Sequence, residues 1–281
     1  MAAHRYSPTV RRRRLSAELR RIRSAARITL EEAAKRAEIP KSTLGNIESG
    51  AKQRPQLAEV RAILDACKVT DEREREEILE LCRQSRERGW WARYRDVLPG
   101  RYVGFEMEAS VISTWEPLMV PGLLQIPEYI EVTARAALAQ PHDVQRVIDS
   151  RIERQRILTD DPPELWAIFD EGVLLRLRQY PEVMTAQIAH ILELAEDDNT
   201  VTIQMTRADQ LNAGSAGPFV ITEFPNRVDP TVVHLETDTD GLYLEEAEEV
   251  ARYRRLFNHL RLGALRPGET IARLRELTDQ T

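Results

Sequence analysis

Thr29 to Gly50 reads TLEEAAKRAEIPKSTLGNIESG, and this stretch decides the fold of the first third of the chain. Thr29 with Glu32 three residues later is a capping box. The hydroxyl accepts from an amide otherwise orphaned at the helix start, and the carboxylate accepts from the cap's own N–H. Leu30, Ala33, Ala34 and Ala37 then share one face at helical spacing, and their small side chains let another helix approach closely. Pro40, with φ already near the helical value, opens a second helix in which Leu44 and Ile47 point inward and which Gly50 ends. Upstream, Leu15, Leu19, Ile22 and Ala26 mark a helix over 11–26 with arginines on its other faces. Downstream, QLAEVRAILDACKV and DEREREEILELCRQSRER predict a fourth and fifth helix.

Charge sharpens the reading. The 281 residues carry a formal net charge of −6, but residues 1–54 hold 14 Lys and Arg against 5 Asp and Glu, a balance of +9. The remainder holds 26 basic against 41 acidic residues, a balance of −15. Such a split suggests a polyanion-binding head on an acidic body. Hydrophobic residues at 42% and charged residues at 31% are globular composition, and the length suits two domains, or three. No run of apolar residues is long enough for a transmembrane helix, and the N-terminus lacks the apolar stretch of a secretory signal. Cys67 and Cys82 read as reduced thiols, and the expected location is the cytoplasm.

Residues 13–67 resemble the helix-turn-helix domain of the lambda-repressor/Cro, or Xre-like, family. The likeness rests on the capped helix, the small residue at Ala33, the three-residue break, Leu44 and Ile47, and the closing Ile-Glu-x-Gly. Two positions depart from the family pattern. Glu38 stands where the turn usually has glycine, which would strain a left-handed backbone, and Pro40 stands where Ser or Thr usually caps the recognition helix. The family geometry implies that the second helix of the pair enters the major groove N-terminus first. Lys41, Ser42, Thr43, Gly45 and Asn46 are then the candidate base readers. Lys41 can donate to guanine O6/N7 and Asn46 can pair with adenine N6/N7. Arg11, Arg12, Arg13 and Arg14 are candidates to follow the backbone or enter a minor groove, and Lys52, Arg54 and the helix start at Leu30 are candidates for phosphates. The plainer alternatives are a small helical bundle that binds protein and a solubilising tail.

The expected organisation is a basic flexible arm over 1–12, a five-helix all-α domain over 13–86, a linker over 87–104 and a mixed α/β (α+β) domain over 105–281. The linker holds Trp90, Trp91 and Tyr94, read as packing between head and body or as a ligand cage, and Pro99-Gly100 signals a turn. Beyond it, EASVISTWEPLMV, ELWAIF, TVTIQM, GPFVITEF and PTVVHLET read as strands, the later ones as an antiparallel run. DVQRVIDSRIERQRIL and PEVMTAQIAHILELAED read as helices, as do LYLEEAEEVARYRRLFNHLRLGAL and GETIARLRELTDQ. Glu106, Glu108, Trp115, Glu116 and Gln125 gather around VPGLLQ and form a candidate partner or ligand site, with a structural role as the alternative.

FEMEASVISTWEPLMVPGLLQIPEYIEV, RIERQRIL, GPFVITEF and the stretch from HLET to RLGAL resemble the domain of unknown function 5753, found behind the same head in actinobacterial regulators. That resemblance implies an antitoxin-like or developmental regulator. It also implies a small protein partner, of the domain of unknown function 397 type. Residue spacing gives no sign of catalysis: the five histidines, His4, His142, His190, His234 and His259, show no i, i+4 zinc pair and no cluster with the cysteines, and NAGSAGP lacks the ending of a phosphate loop. The sequence is therefore read as a DNA-binding regulator, without cofactor or metal, that acts as a homodimer on double-stranded DNA. Its acidic body would bind a small protein partner or a signal. An antitoxin-like interaction module and a small-ligand sensor are the alternatives.

Overall fold

The computed structural model describes residues 7–98, 100–137, 140–159, 161–197, 200–214, 217–226, 228–236 and 241–279. The chain divides into two compact units: a helical one that ends at Ala92 and takes in Asn226–Asp229, and an α/β one formed by Arg93–Pro225 and the chain from Pro230 onward.

The helical unit has five α-helices among the described residues. Helix α1, Pro8–Ala25, starts where Ser7 Oγ accepts from the Thr9 amide and Pro8 supplies a preset φ. The expected arm over 1–12 is thereby corrected: from Pro8 onward it is helix, because cap and proline together begin the turn before the arginines are reached. Residues 1–6 lie outside the described residues. Helix α2, Leu30–Arg36, carries the capping box in full, with Glu32 N to Thr29 Oγ1 at 3.1 Å and Thr29 N to Glu32 Oε2 at 2.9 Å. Helix α3 is Lys41–Glu48, α4 is Leu57–Ala66 and α5 is Glu72–Ser85. Pro40 precedes α3 as its cap rather than opening it, and contributes no side-chain bond there.

Helices α1, α2 and α4 each run out through a non-glycine residue in the left-handed region: Arg27 at φ 55°, Glu38 at 54° and Lys68 at 56°. Each costs on the order of 1 kcal/mol relative to glycine. Gly50, at φ 74°, ends α3 without that cost. The core that holds these conformations is continuous. Leu15, Leu19, Leu44, Ile47, Val60, Ile63 and Leu64 are fully buried together. Leu44 and Ile47 each gain about 1.5–3 kcal/mol from that burial and fix which face of α3 remains outside.

The α/β unit is built on a six-stranded mixed sheet. Its strands are β1 Val111–Glu116, β2 Glu164–Asp170, β3 Val201–Thr206, β4 Phe219–Glu223, β5 Val232–Glu236 and β6 Gly241–Leu244, in the order β3-β2-β1-β4-β5-β6. β1, β2 and β3 pair in parallel, and β4 pairs antiparallel with β1 through Trp115↔Phe219. The sheet therefore grows in opposite directions from the β1–β4 junction. The parallel pairs need long crossovers. α6 (Gly100–Glu106) precedes β1; α7 (Pro127–Ala136) and α8 (Pro141–Gln155) join β1 to β2; α9 (Gly172–Leu175) and α10 (Pro181–Asp197) join β2 to β3. The chain closes with α11, Ala247–Gly263, and α12, Pro267–Asp279.

Strand alternation sorts the two faces. Trp115, Ile168, Phe219, Ile221 and Val233 pack beneath Val250, Phe257 and Leu260 of α11. Thr114, Glu116, Val220 and His234 occupy the alternate positions. Two expectations change here. The stretch expected as a linker over 87–104 contains a 3-10 turn at Trp90–Tyr94 and most of α6, and Trp90 and Trp91 meet edge to face with ring centroids 6.0 Å apart. The LYL of LYLEE, expected to begin a helix, forms β6 with Gly241 instead. Leu242 and Leu244 alternate with Tyr243 at period two and pair with β5, and helix begins only at Ala247.

Candidate functional site

Helix α3 presents two different sides. Leu44 and Ile47 are buried, while Lys41, Ser42 and Asn46 are exposed and Thr43 and Gly45 are partly so. Lys41 Nζ lies 3.2 Å from Glu31 of α2, an exposed pair of little energetic weight that leaves the ammonium able to change partner. A Cβ at Gly45 would meet Leu30 Cδ2 at 3.7 Å, ordinary contact, so glycine is not forced there by space. Leu30 itself packs partly buried against the helical core, close to that position.

The orientation of α3 is fixed by its end. Glu48 is buried and receives Arg23 as a fork: Nε to Oε1 at 2.7 Å and Nη2 to Oε2 at 2.9 Å. Arg23 also donates to the Ile28 carbonyl at 3.1 Å, and Arg20 donates to the Glu48 carbonyl at 3.1 Å. Hydrogen bonding to Glu48 keeps the Arg23 guanidinium above its ordinary pKa despite burial. Ser16 of α1 adds a bond to the Ile47 carbonyl at 2.6 Å. Sequence reading missed Arg23 and Glu48, because the pair lies 25 residues apart and neither periodicity nor capping rules announce it.

The expected phosphate contacts divide. Arg54 is exposed. Lys52 is half-buried and bound to Glu59 at 2.6 Å, and its amide donates to the Asn46 carbonyl at 2.9 Å, so it serves first to lock the chain leaving α3. Arg11, Arg12, Arg13 and Arg14 are helical and partly buried, and Arg14 forks onto Asp229, with Nε 3.1 Å from Oδ2. Arg11 and Arg12, expected in the flexible arm over 1–12, are thus part of α1, as Arg13 and Arg14 are.

In the α/β unit, the five residues expected around VPGLLQ separate. Glu106 and Glu116 meet in one cluster with Gln125, whereas Trp115 and Glu108 do not join it. Trp115 points to the α11 face by strand alternation and donates to the Gly214 carbonyl at 2.9 Å, and Glu108 is buried beyond the end of α6. The cluster is organised by two arginines one helical turn apart on α8. Arg154 grips Glu106, with Nη2 to Oε1 at 2.8 Å, and donates to the Tyr102 hydroxyl at 3.1 Å. Burial opposes the charge on Arg154, but the Glu106 carboxylate outweighs it and holds the pKa above the usual range. Tyr102 is pushed well up by burial and by Glu106, and stacks on His234, with centroids 4.5 Å apart. Arg151 is bonded to the Gln125 side-chain oxygen, while the Gln125 amide nitrogen donates to the Val120 carbonyl at 2.7 Å. Burial, and then Arg154, lower the pKa of Arg151.

Tyr102, Gln125, Arg151, Arg154 and His234 line a cavity of about 120 Å³ at the carboxyl ends of β1 and β5, beside the β1–β4 junction. Glu116 lies at its edge, and burial followed by the nearby Glu236 carboxylate raises its pKa to about 8. Arg151 and Arg154 were visible in RIERQRIL as basic residues three apart on a helix, but nothing in the sequence said that the pair turns inward.

Comparison with known families settles both halves. Residues 14–78 match a family model described as a helix-turn-helix domain. Residues 99–276 match the model of a domain of unknown function, DUF5753. The chain belongs to the DUF5753 family. It is a DNA-binding transcription regulator, with its helix-turn-helix head ahead of a DUF5753 domain of mixed sheet and helices. Neither the curated proteins nor the solved structures contain a match to the chain. Among the described residues no helix is long and apolar enough to cross a membrane.

Proposed function

We propose that this DUF5753 protein reads a specific operator by laying the N-terminal end of α3 in the major groove of duplex DNA, as a homodimer. The observation that carries the reading is the two-sidedness of α3: Leu44 and Ile47 are anchored in the core, and Lys41, Ser42 and Asn46 face out from a helix whose end is pinned through Glu48. Lys41 and Asn46 have the donor and acceptor chemistry to discriminate guanine and adenine, at about 1–3 kcal/mol for each good contact. Thr43 and Gly45 flank that face, and Ser42 reaches either base or phosphate. Arg54, Lys52 once released from Glu59, and the α2 start at Leu30 take phosphates.

The acidic α/β domain acts as a regulatory rather than catalytic part, and binds a small basic protein partner or a signal. Its charge balance favours association with a basic surface mainly through rate and specificity. Fluorescence anisotropy of the full chain on its own upstream DNA and on a scrambled duplex, at two salt concentrations, tests the proposal. Preference for the upstream DNA by about 10³ or more, with binding that weakens steeply as salt rises, is the expected result. The double variant Lys41→Ala/Asn46→Ala removes the preference and leaves weak general binding. Equal, weak binding of both duplexes by the unmodified protein overturns operator reading by α3.

A further inference from the structure

We infer that the cavity beside the β1–β4 junction is a binding site for a small organic carboxylate with an apolar body of one ring or a short branched chain. The inference deepens the signal-binding reading of the α/β domain and is independent of how α3 reads DNA.

The argument begins with a mismatch between two neighbouring arginines. Arg154 is fully answered, with Glu106 against its fork and the Tyr102 oxygen beside it. Arg151, one turn away and lining the same cavity, has among the described residues only the neutral side-chain oxygen of Gln125 as hydrogen-bond partner; Glu236 and Glu116 act on it electrostatically, but no described carboxylate lies within ion-pair distance of it. A guanidinium offers five donors in a planar fork, so most of that capacity is unused by the protein. A largely buried cation whose donors are not met by a directly bonded carboxylate is costly, and protein interiors normally pair such groups closely. Gln125 is itself clamped from Val120 and cannot be regarded as a casual contact, so the fork is held in a set position.

The remaining walls fit the second half of the ligand. Leu98, Met119, Val120 and Val220 supply apolar surface to the same cavity. A volume of about 120 Å³ is close to that of engineered cavities that take up benzene, which limits the body to roughly six carbons. Glu116 completes the polar end. It sits near Arg151 and Arg154 on α8 and Glu236 on β5, with Thr114 bonded to its carboxyl at 3.4 Å, and its raised pKa leaves it mainly protonated at neutral pH. A protonated carboxyl donates to a ligand carboxylate instead of repelling it. The position agrees with the general habit of open sheets containing parallel strands, in which ligands sit at carboxyl ends of strands where the strand order reverses direction.

Isothermal titration of the full-length protein with benzoate and isovalerate, against benzamide and inorganic phosphate, tests the site. Both carboxylates bind, and benzamide, which keeps the ring and loses the charge, binds at least ~10-fold more weakly. Arg151→Gln weakens benzoate by ~10-fold or more with far-UV circular dichroism unchanged. Met119→Trp fills the apolar end and abolishes binding by a separate route, so that misfolding of the arginine variant would leave the question answerable. No heat from either carboxylate up to about 10 mM, stronger binding of phosphate than of benzoate, or equal binding of benzamide overturns the inference. The same samples are run on upstream DNA. Retained DNA preference with no carboxylate binding rejects the ligand site alone, and lost DNA preference with intact carboxylate binding rejects the α3 reading alone.

Discussion

Removing Arg23 should loosen α3 more than any surface substitution on the helix itself. In Arg23→Met the Glu48 carboxylate, only 4% exposed, loses a fork of two short bonds, and the Ile28 carbonyl loses its partner. Stranding one member of a fully buried pair costs about 3–5 kcal/mol. Arg23 is itself 18% exposed, so water reaches its site and the cost falls to about 2–3 kcal/mol. Hydrogen exchange of α3 amides, followed by mass spectrometry on peptides spanning 41–50, reads this locally without requiring the whole chain to unfold. The expected acceleration is roughly 30- to 150-fold, from 1.36 kcal/mol per decade. Arg23→Met/Glu48→Leu, which replaces the pair with apolar groups of similar reach, should recover most of the protection. Acceleration of less than about threefold in Arg23→Met, or a double variant as labile as the single one, would refute the claim that this pair fixes the recognition helix.

Further outcomes follow from the same structure. Gly45→Ala, which meets Leu30 at ordinary contact distance, should stabilise the helical unit by up to about 1 kcal/mol in thermal melts, while altering DNA affinity if α3 approaches the bases closely there. The α/β domain should lose stability as pH rises from about 5 to about 8, because folded Glu116 keeps a proton that the unfolded chain has already released; urea midpoints followed by Trp115 and Trp166 fluorescence should show a fall of at least ~1 kcal/mol, flattened in Glu116→Gln. Cys82, with its thiol pushed up to about 11 by burial, and Cys67, raised by the same cause, should resist a thiol reagent near pH 8 in the native protein and react on denaturation.

The parts of the fold that were legible in the sequence were those fixed by local rules. The Thr29–Glu32 box, the left-handed residue at Glu38 and the stop at Gly50 each depend on neighbours within a few positions, and each lies where the sequence placed it. Long periodic helices such as α8 and α10, and the alternating strands β1 to β5, were legible for the same reason. β6 was obscured because four alternating residues run directly into a strongly helical, acidic stretch. The arm was misread because a row of arginines looks solvated, whereas Ser7 and Pro8 had already committed the backbone to a turn. Of the residues around VPGLLQ, proximity in sequence was a sound guide for Glu116 and Gln125 and a poor one for Trp115, since adjacent strand residues face opposite sides of a sheet. The Arg23–Glu48 pair and the inward turn of Arg151 depend on tertiary placement, which no local signal encodes.

The central strand has a consequence for how the chain is made. β1 pairs with β2 on one edge, but its other edge belongs to β4, with Val111 matched to Glu223. At ribosomal rates of about 5–20 residues per second, roughly a hundred residues must be added after β1 before that partner exists, a wait of several seconds or more. Throughout it, the helical head has all the sequence of its five helices, while β1 carries an open hydrogen-bonding edge of the kind that recruits foreign strands. Chains that stop short of Phe219 would keep that edge permanently, so a premature stop late in the reading frame is expected to yield aggregate rather than a free DNA-binding fragment.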